Sequence, residues 1–299
     1  ANAILGNCTA LLITLSVLVT AFFLAVKEPM LLLFGATADT LPFASDYLTI
    51  YLWGTIFVEL SLGLNFFITS QGFSTISMAT VLIGAVTNIV LDPIFIFGFG
   101  MGVQGAALAT ITAQAVSAIW VLRFLSGKRT KLRLQKKFFR LNPKVLAPVV
   151  ALGVSPFIMN ATESLVNIAF NSSLKAYGGN PAVGAMTICS SVLQVFFLLL
   201  QGIAQGAQPI IGFNYGAGQL DRVKKAFKLL IISAFTFSCA ACLALELFPQ
   251  AFVMLFNDKP ELVDLAVWAL RIYVCGMFML GIQTSCQQTF VALGQAKIS

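Results

Sequence analysis

The sequence has no histidine. That absence removes imidazole acid–base catalysis, histidine-based triads and histidine-ligated zinc together. Charge is scarce as well. Asp, Glu, Lys and Arg make up 10% of the 299 residues, where a soluble domain carries about 25%. The eleven acidic residues show no Asp/Glu cluster of the metal type. An intramembrane enzyme would need such a cluster, or a nucleophile beside a base. What is abundant is apolar: 59% hydrophobic residues, 27 of them Phe, at a mean hydropathy of +0.92. The chain is therefore an all-α polytopic membrane protein, with Phe covering part of a lipid-facing surface.

Eight apolar segments are legible, at about 5–25, 46–70, 76–97, 103–125, 148–176, 182–212, 226–247 and 262–293. Helices are expected, because in lipid they satisfy their own backbone groups. All six cysteines, at 8, 189, 239, 242, 275 and 286, fall in these segments. Cys239 and Cys242 form a Cys-x-x-Cys pair, but no second pair and no charged activator accompanies it. Packing is the expected role.

The net charge of +7 is concentrated in two short loops. One carries Lys128, Arg129, Lys131, Arg133, Lys136, Lys137, Arg140 and Lys144; the other carries Arg222, Lys224 and Lys225, with Lys228 just beyond. Arg123 and Lys297 fall on the same side. Lys27, Lys175 and Lys259 fall opposite, offset by Glu28, Asp39, Asp258 and Glu261. This bias places the basic loops and both chain ends in the cytoplasm, and it reports orientation, not nucleic-acid binding. The linker, 126–147, divides an N-lobe, 1–125, from a C-lobe, 148–299. It is expected to be a solvated connector that touches anionic lipid at most.

A shift of 222 residues aligns Leu33–Ser77 with Leu255–Ser299 without a gap. Ten of 45 positions are identical: Leu33/Leu255, Phe34/Phe256, Ala44/Ala266, Leu48/Leu270, Ile50/Ile272, Tyr51/Tyr273, Gly54/Gly276, Gly72/Gly294, Ile76/Ile298 and Ser77/Ser299. The second segment therefore matches the eighth, as in parallel repeats related by an axis along the membrane normal. Completing the symmetry gives six plus six helices. Four plus four are expected here, without the first two and last two spans.

Polar groups within the apolar spans mark candidate sites. Asn88 and Asp92 share a helix face, and Pro93 follows. Thr110, Gln114 and Ser117 line a face of the next helix; Ser61, Asn65 and Thr69 line one of the second. Carboxylate, amide and hydroxyl oxygens of this kind suit Na+ or a carboxyl-held proton. The alternative is a helix end tied down by hydrogen bonds. In the C-lobe, Asn160, Glu163 and Asn167 recur on one face, and Gln201, Gln205 and Gln208 form a polar stripe; Gln283, Gln287 and Gln288 lie in the last segment. These face a substrate cavity or bond across helices. Glu59 has Thr55 as its nearest polar partner on the helix, and its role stays open. Gly202 and Gly206, four apart, are expected to allow close backbone approach, and Pro209 to bend the helix into a hinge.

Gly206-Ala-Gln-Pro209 followed by Gly212-Phe-Asn-Tyr-Gly-Ala-Gly218 resembles the signature of the multidrug and toxic compound extrusion (MATE) transporters, in the form of their MepA-like branch. The resemblance implies a secondary active multidrug efflux antiporter. It would export cationic amphipathic compounds in exchange for Na+ or H+ by alternating access, without a cofactor. In DinF-like members the N-lobe cation site corresponds to Asp92, Asn88, Asn65 and Thr110 here, with a further carboxylate on the first span. NorM-type members carry a Glu near the position of Glu163 and an Asp on the tenth span; here that span offers glutamines. The resemblance also implies a monomer in the bacterial plasma or inner membrane, with small-molecule and lipid partners and no nucleic acid. The runner-up is a flippase for lipid-linked oligosaccharide or another amphipathic lipid. That function needs a strongly cationic cavity, and Arg271 is the one clear cation within the spans.

Overall fold

A computed structural model describes residues 2–34, 40–257 and 259–295. Among them the regular elements are all helical, with no strand. Asp39, Asp258, Lys297, Ile298 and Ser299 lie outside the described residues. In chain order the helices are α1 Asn2–Leu33, α2 Leu41–Trp53, α3 Thr55–Ser70, α4 Ser74–Pro93 and α5 Gly102–Ser126. Then follow α6 Pro143–Gly216, α7 Leu220–Leu247, α8 Pro249–Met254, α9 Pro260–Val274 and α10 Met277–Ala292. A π-helical turn, Ile94–Gly98, extends α4 beyond Pro93. α6 contains a break at Gly179, whose φ of 65° and ψ of −163° no L side chain adopts readily. Its arms are Pro143–Leu174 and Pro181–Gly216.

Six helical stretches are long and apolar enough to cross a membrane alone. Two bent pairs, α2 with α3 at 54° and α9 with α10 at 49°, each qualify as one broken span, giving up to eight. These match the eight apolar segments of the sequence. The chain divides into two compact units, Ala1–Pro148 and Val149–Ser299. In unit 1, Leu60, Leu64 and Ile68 of α3 meet Ala118, Val121 and Leu125 of α5 and Leu5 of α1 in a buried cluster. The four-residue steps on α3 form one apolar stripe. Val17, Leu18 and Phe22 of α1 and Leu82, Val86 and Ile89 of α4 stay exposed, as helices apolar on every face do in lipid. In unit 2, Cys189 and Val192 of α6 pack with Ala241 and Leu245 of α7 and Ala266 and Leu270 of α9. α10 lies close on α7, because a Cβ at Gly281 would stand 2.5 Å from the carbonyl oxygen of Ala234.

The repeat seen in the sequence is present in backbone geometry. The break between α2 and α3 falls at Gly54, with φ −84° and ψ −5°; the break between α9 and α10 falls at Gly276, with φ −92° and ψ −4°. α3 and α10 start and stop at positions 222 apart. Both end in a left-handed glycine, Gly72 at φ 87° and Gly294 at φ 75°. The bonds that close the two helices also correspond: Phe73 N donates to Ile68 O, and Gln295 N donates to Phe290 O.

The linker's backbone is tied down while its described charged side chains stay exposed. Its chain runs back across unit 1 as a strap. Gln71 Oε1, at the end of α3, accepts from Thr130 Oγ1 at 2.6 Å and from Leu132 N at 2.9 Å. Arg133 N donates to Asn2 Oδ1, and Asn142 N donates to Asn7 Oδ1. Leu134 N donates to Leu125 O, and Leu132 and Leu134 pack on the core of unit 1. Side-chain amides at helix ends thus replace water for the strap's backbone, which explains why a highly charged segment is ordered here.

Candidate functional site

The polar faces of α3, α4 and α5 converge within unit 1. Ser61 and Asn65 of α3, Thr80, Gly84 and Asn88 of α4, and Thr110, Gln114 and Ser117 of α5 line a cavity of about 230 Å3. Each set recurs at three or four residues, so helical geometry alone aims it at one side. Gly84 sets the spacing of α4 and α5. A Cβ there would stand 2.5 Å from Ser117 Oγ, which itself donates to Thr80 O at 3.0 Å.

The side chains on this wall are partly tied to one another. Ser61 Oγ donates to Gln114 Oε1 at 2.7 Å. Thr110 Oγ1 donates back to Ala106 O at 3.0 Å. Asn65 Nδ2 donates to Ser77 O at 3.2 Å, and Asn65 Oδ1 is buried with no hydrogen-bond partner among the described residues. A buried acceptor left open costs about 1–3 kcal/mol and invites a cation or a donor. Asn88 Nδ2 donates to Asp92 Oδ1 at 3.2 Å.

Of the four residues expected to hold a cation, Asn65, Asn88 and Thr110 share the cavity wall. Asp92 does not line it; it stands one turn along α4, half-buried and reached through Asn88. Pro93 and the π-turn follow immediately, so the backbone beyond Asp92 departs from the α-helical ladder. The donor set is one carboxylate, two amide oxygens and a hydroxyl, all hard oxygen ligands. Thr80 and Gly84 were not singled out in the sequence. Their signal was the step of four through 80, 84, 88 and 92, one continuous stripe ending on the acid.

The expected C-lobe residues are dispersed in unit 2. Asn160, Glu163 and Asn167 are exposed on the first arm of α6, and Asn160 Nδ2 donates back to Pro156 O. On the second arm, Gln205 is exposed while Gln201 and Gln208 are half-buried. α10 bridges the two arms: Gln287 Nε2 donates to Met159 Sδ, and Gln288 Nε2 reaches Gln201 Oε1 at 3.4 Å. Gln283 is exposed.

The residues expected to form a hinge, Gly202, Gly206 and Pro209, lie within one helical stretch in this structure. The second arm of α6 is continuous through all three, and α6 breaks at Gly179. Proline's fixed φ is compatible with a helix, so Pro209 costs its helix one hydrogen bond without a turn. Nor do Gly202 and Gly206 admit another backbone: among the described residues nothing lies within 4 Å of a Cβ at either. The close approach in this segment is at Gly212, where a Cβ would stand 3.3 Å from Ala292 O.

The model of the MatE family matches residues 1–94 and 156–299. The multidrug export protein MepA of Staphylococcus haemolyticus is 27% identical over 285 residues, covering 95% of this chain and 63% of that protein. MepA of Staphylococcus aureus shows the same identity and coverage. The chain thus spans less than two thirds of the length of these curated relatives. Among solved structures, the MATE multidrug transporter DinF-BH, determined in complex with R6G, superposes with a TM-score of 0.86 at 30% identity, covering 99% of this chain and 72% of its own. An outward-facing multidrug resistance MATE family transporter of the MOP superfamily has a TM-score of 0.91 at 22% identity, over 100% of this chain and 67% of that one, and shows the fold.

Proposed function

The chain belongs to the MatE family, and we propose that it forms part of a secondary active multidrug efflux antiporter, exporting cationic amphipathic compounds in exchange for Na+ or H+. The relatives it matches are named as export proteins and transporters, not as enzymes. The observation that supports an ion-coupled reading is the wall of the unit 1 cavity. Asn65, Asn88 and Thr110 face one space, Asn65 Oδ1 is an open acceptor, and Asn88 ties that space to Asp92.

In this reading the coupling cation is cargo. Asp92 supplies the negative charge, and Asn88 orients its carboxylate. Asn65 and Thr110 supply neutral oxygens that replace part of the ion's water. Na+ would need the Asn88 amide turned over to present Oδ1 in place of Nδ2; a proton would need only the carboxylate. The bound cation then favours one arrangement of the transporter and the exported compound the other, and coupling is the difference of their affinities for the two states. The MatE repeats supply the two lobes that alternating access requires. Lipid is the surrounding partner, a monomer the working unit and the bacterial plasma membrane the location, with the basic segments on its cytoplasmic face. Glu163 and the glutamines of α6 and α10 are assigned to the path of the exported compound.

R6G, the compound bound by that solved relative, is the first substrate to try. Full-length protein in proteoliposomes should export it when an inward Na+ or H+ gradient is imposed. Asp92→Asn should abolish that export while the protein still folds. Equal export by the two proteins would exclude the assignment.

A further inference from the structure

We propose that the strap over residues 128–144 is a docking surface for anionic phospholipid headgroups at the membrane boundary of unit 1. The inference rests on the chain spanning a membrane and is independent of the proposed transport.

The strap alternates. Thr130 is buried and Leu132 and Leu134 are half-buried against the core, while Lys128, Arg129 and Lys131 are exposed; Arg133 is exposed too, with its guanidinium donating back to Thr130 O and Lys128 O. Lys137, Arg140 and Lys144 continue the exposed row. The segment 126–147 has eight cationic residues and no Asp or Glu. A solvated charge run of this density would repel itself and extend. Here five polar anchors hold it flat: Gln71 takes Thr130 and Leu132, Asn2 takes Arg133, Asn7 takes Asn142, and Leu125 O takes Leu134 N. The cost of ordering the charges is already met in the fold, which favours binding a multivalent anionic surface.

Placement identifies that surface. The anchors sit where α1 begins, α3 ends and α5 ends, so the strap covers one end of unit 1. The described carboxylates of unit 1 lie elsewhere. Glu28 is near the far end of α1, Asp46 is bonded to Gln104 beside the start of α5, Glu59 is near the start of α3, and Asp92 is near the end of α4. Among the described residues of unit 1, no acid therefore offsets the cations at the strap end. The helices on either side of the strap, α5 and the first arm of α6, are both long and apolar enough to cross a membrane. Residues joining them lie at the bilayer surface, where juxtamembrane Lys and Arg meet lipid phosphates. Phe139 and Leu141 flank Arg140 and are 39% and 51% exposed. Apolar side chains beside a row of cations suit an interface of acyl chain and phosphate, and do not suit a soluble polyanion.

The test uses the full chain in nanodiscs of phosphatidylcholine, with or without about a third phosphatidylglycerol. Exchange of the strap amides over 128–141 should slow by about tenfold with phosphatidylglycerol, while the Phe99–Gly102 turn at the opposite end of unit 1 is unchanged. In detergent, retained phosphatidylglycerol should exceed phosphatidylcholine by about tenfold. Lys128→Gln/Lys131→Gln/Arg140→Gln should remove the preference, and Lys224→Gln/Lys225→Gln in the other basic loop should keep it. The first measurement needs no variant, so misfolding of the triple substitution leaves the test intact. The proposal fails if exchange is the same in both nanodiscs, if the triple variant retains the preference, or if soluble polyphosphate protects the strap as well as the bilayer does.

Discussion

Gly54 and Gly276 stand 222 residues apart and carry the same bend, one between α2 and α3, the other between α9 and α10. Their surroundings differ. A Cβ at Gly54 would lie 2.2 Å from Cγ2 of Ile111, whereas at Gly276 nothing among the described residues lies within 4 Å. Both backbones have negative φ and tolerate any side chain. Gly54→Ala should therefore cost about 1–3 kcal/mol by forcing the stiff Ile111 side chain off α2. Gly276→Ala should leave this chain's stability unchanged. Thermal unfolding of the two variants in detergent gives the comparison.

At the cavity, Gly84 and Ser117 make a second contact that is open to mutation. Gly84→Ala should displace Ser117 Oγ from Thr80 O and cost about 1–3 kcal/mol. In a Ser117→Ala background the same change meets less obstruction. A double-mutant cycle on unfolding should show a coupling energy of about 1 kcal/mol.

The glycines of α6 predict the opposite behaviour. Gly206→Ala meets no atom, and alanine favours a helix interior by about 1 kcal/mol over glycine. The melting temperature should stay or rise. A clear fall would show that this helix must bend during folding or function.

The span count was legible because apolar runs of this length have one outcome in lipid. The repeat was legible too, and Gly54/Gly276 and Gly72/Gly294, read as mere identities, proved to be its two backbone landmarks. The break in α2–α3 was not legible, since one glycine in an apolar run carries no mark of a bend. Pro209 marks a place where a helix can bend, and in this structure the segment stays helical. A proline looks like a bend in sequence, yet its φ fits a helix. The strap's anchors escaped because Gln71, Asn7 and Asn2 lie far from their partners in the chain and are ordinary amides until the fold brings them together. For the cavity, spacing identified the faces of α3 and α5. It could not say that Asp92 stands off the wall, bonded to Asn88.

The most direct test is cation exchange on substrate addition, measured with full-length protein as release of radiolabelled Na+ and, separately, of protons. Wild-type protein should release one of these cations when R6G binds, and Asp92→Asn should release neither while still binding R6G. Equal release by wild type and Asp92→Asn would contradict the account, because the carboxylate beside Asn88 would then not be where the coupling ion is held.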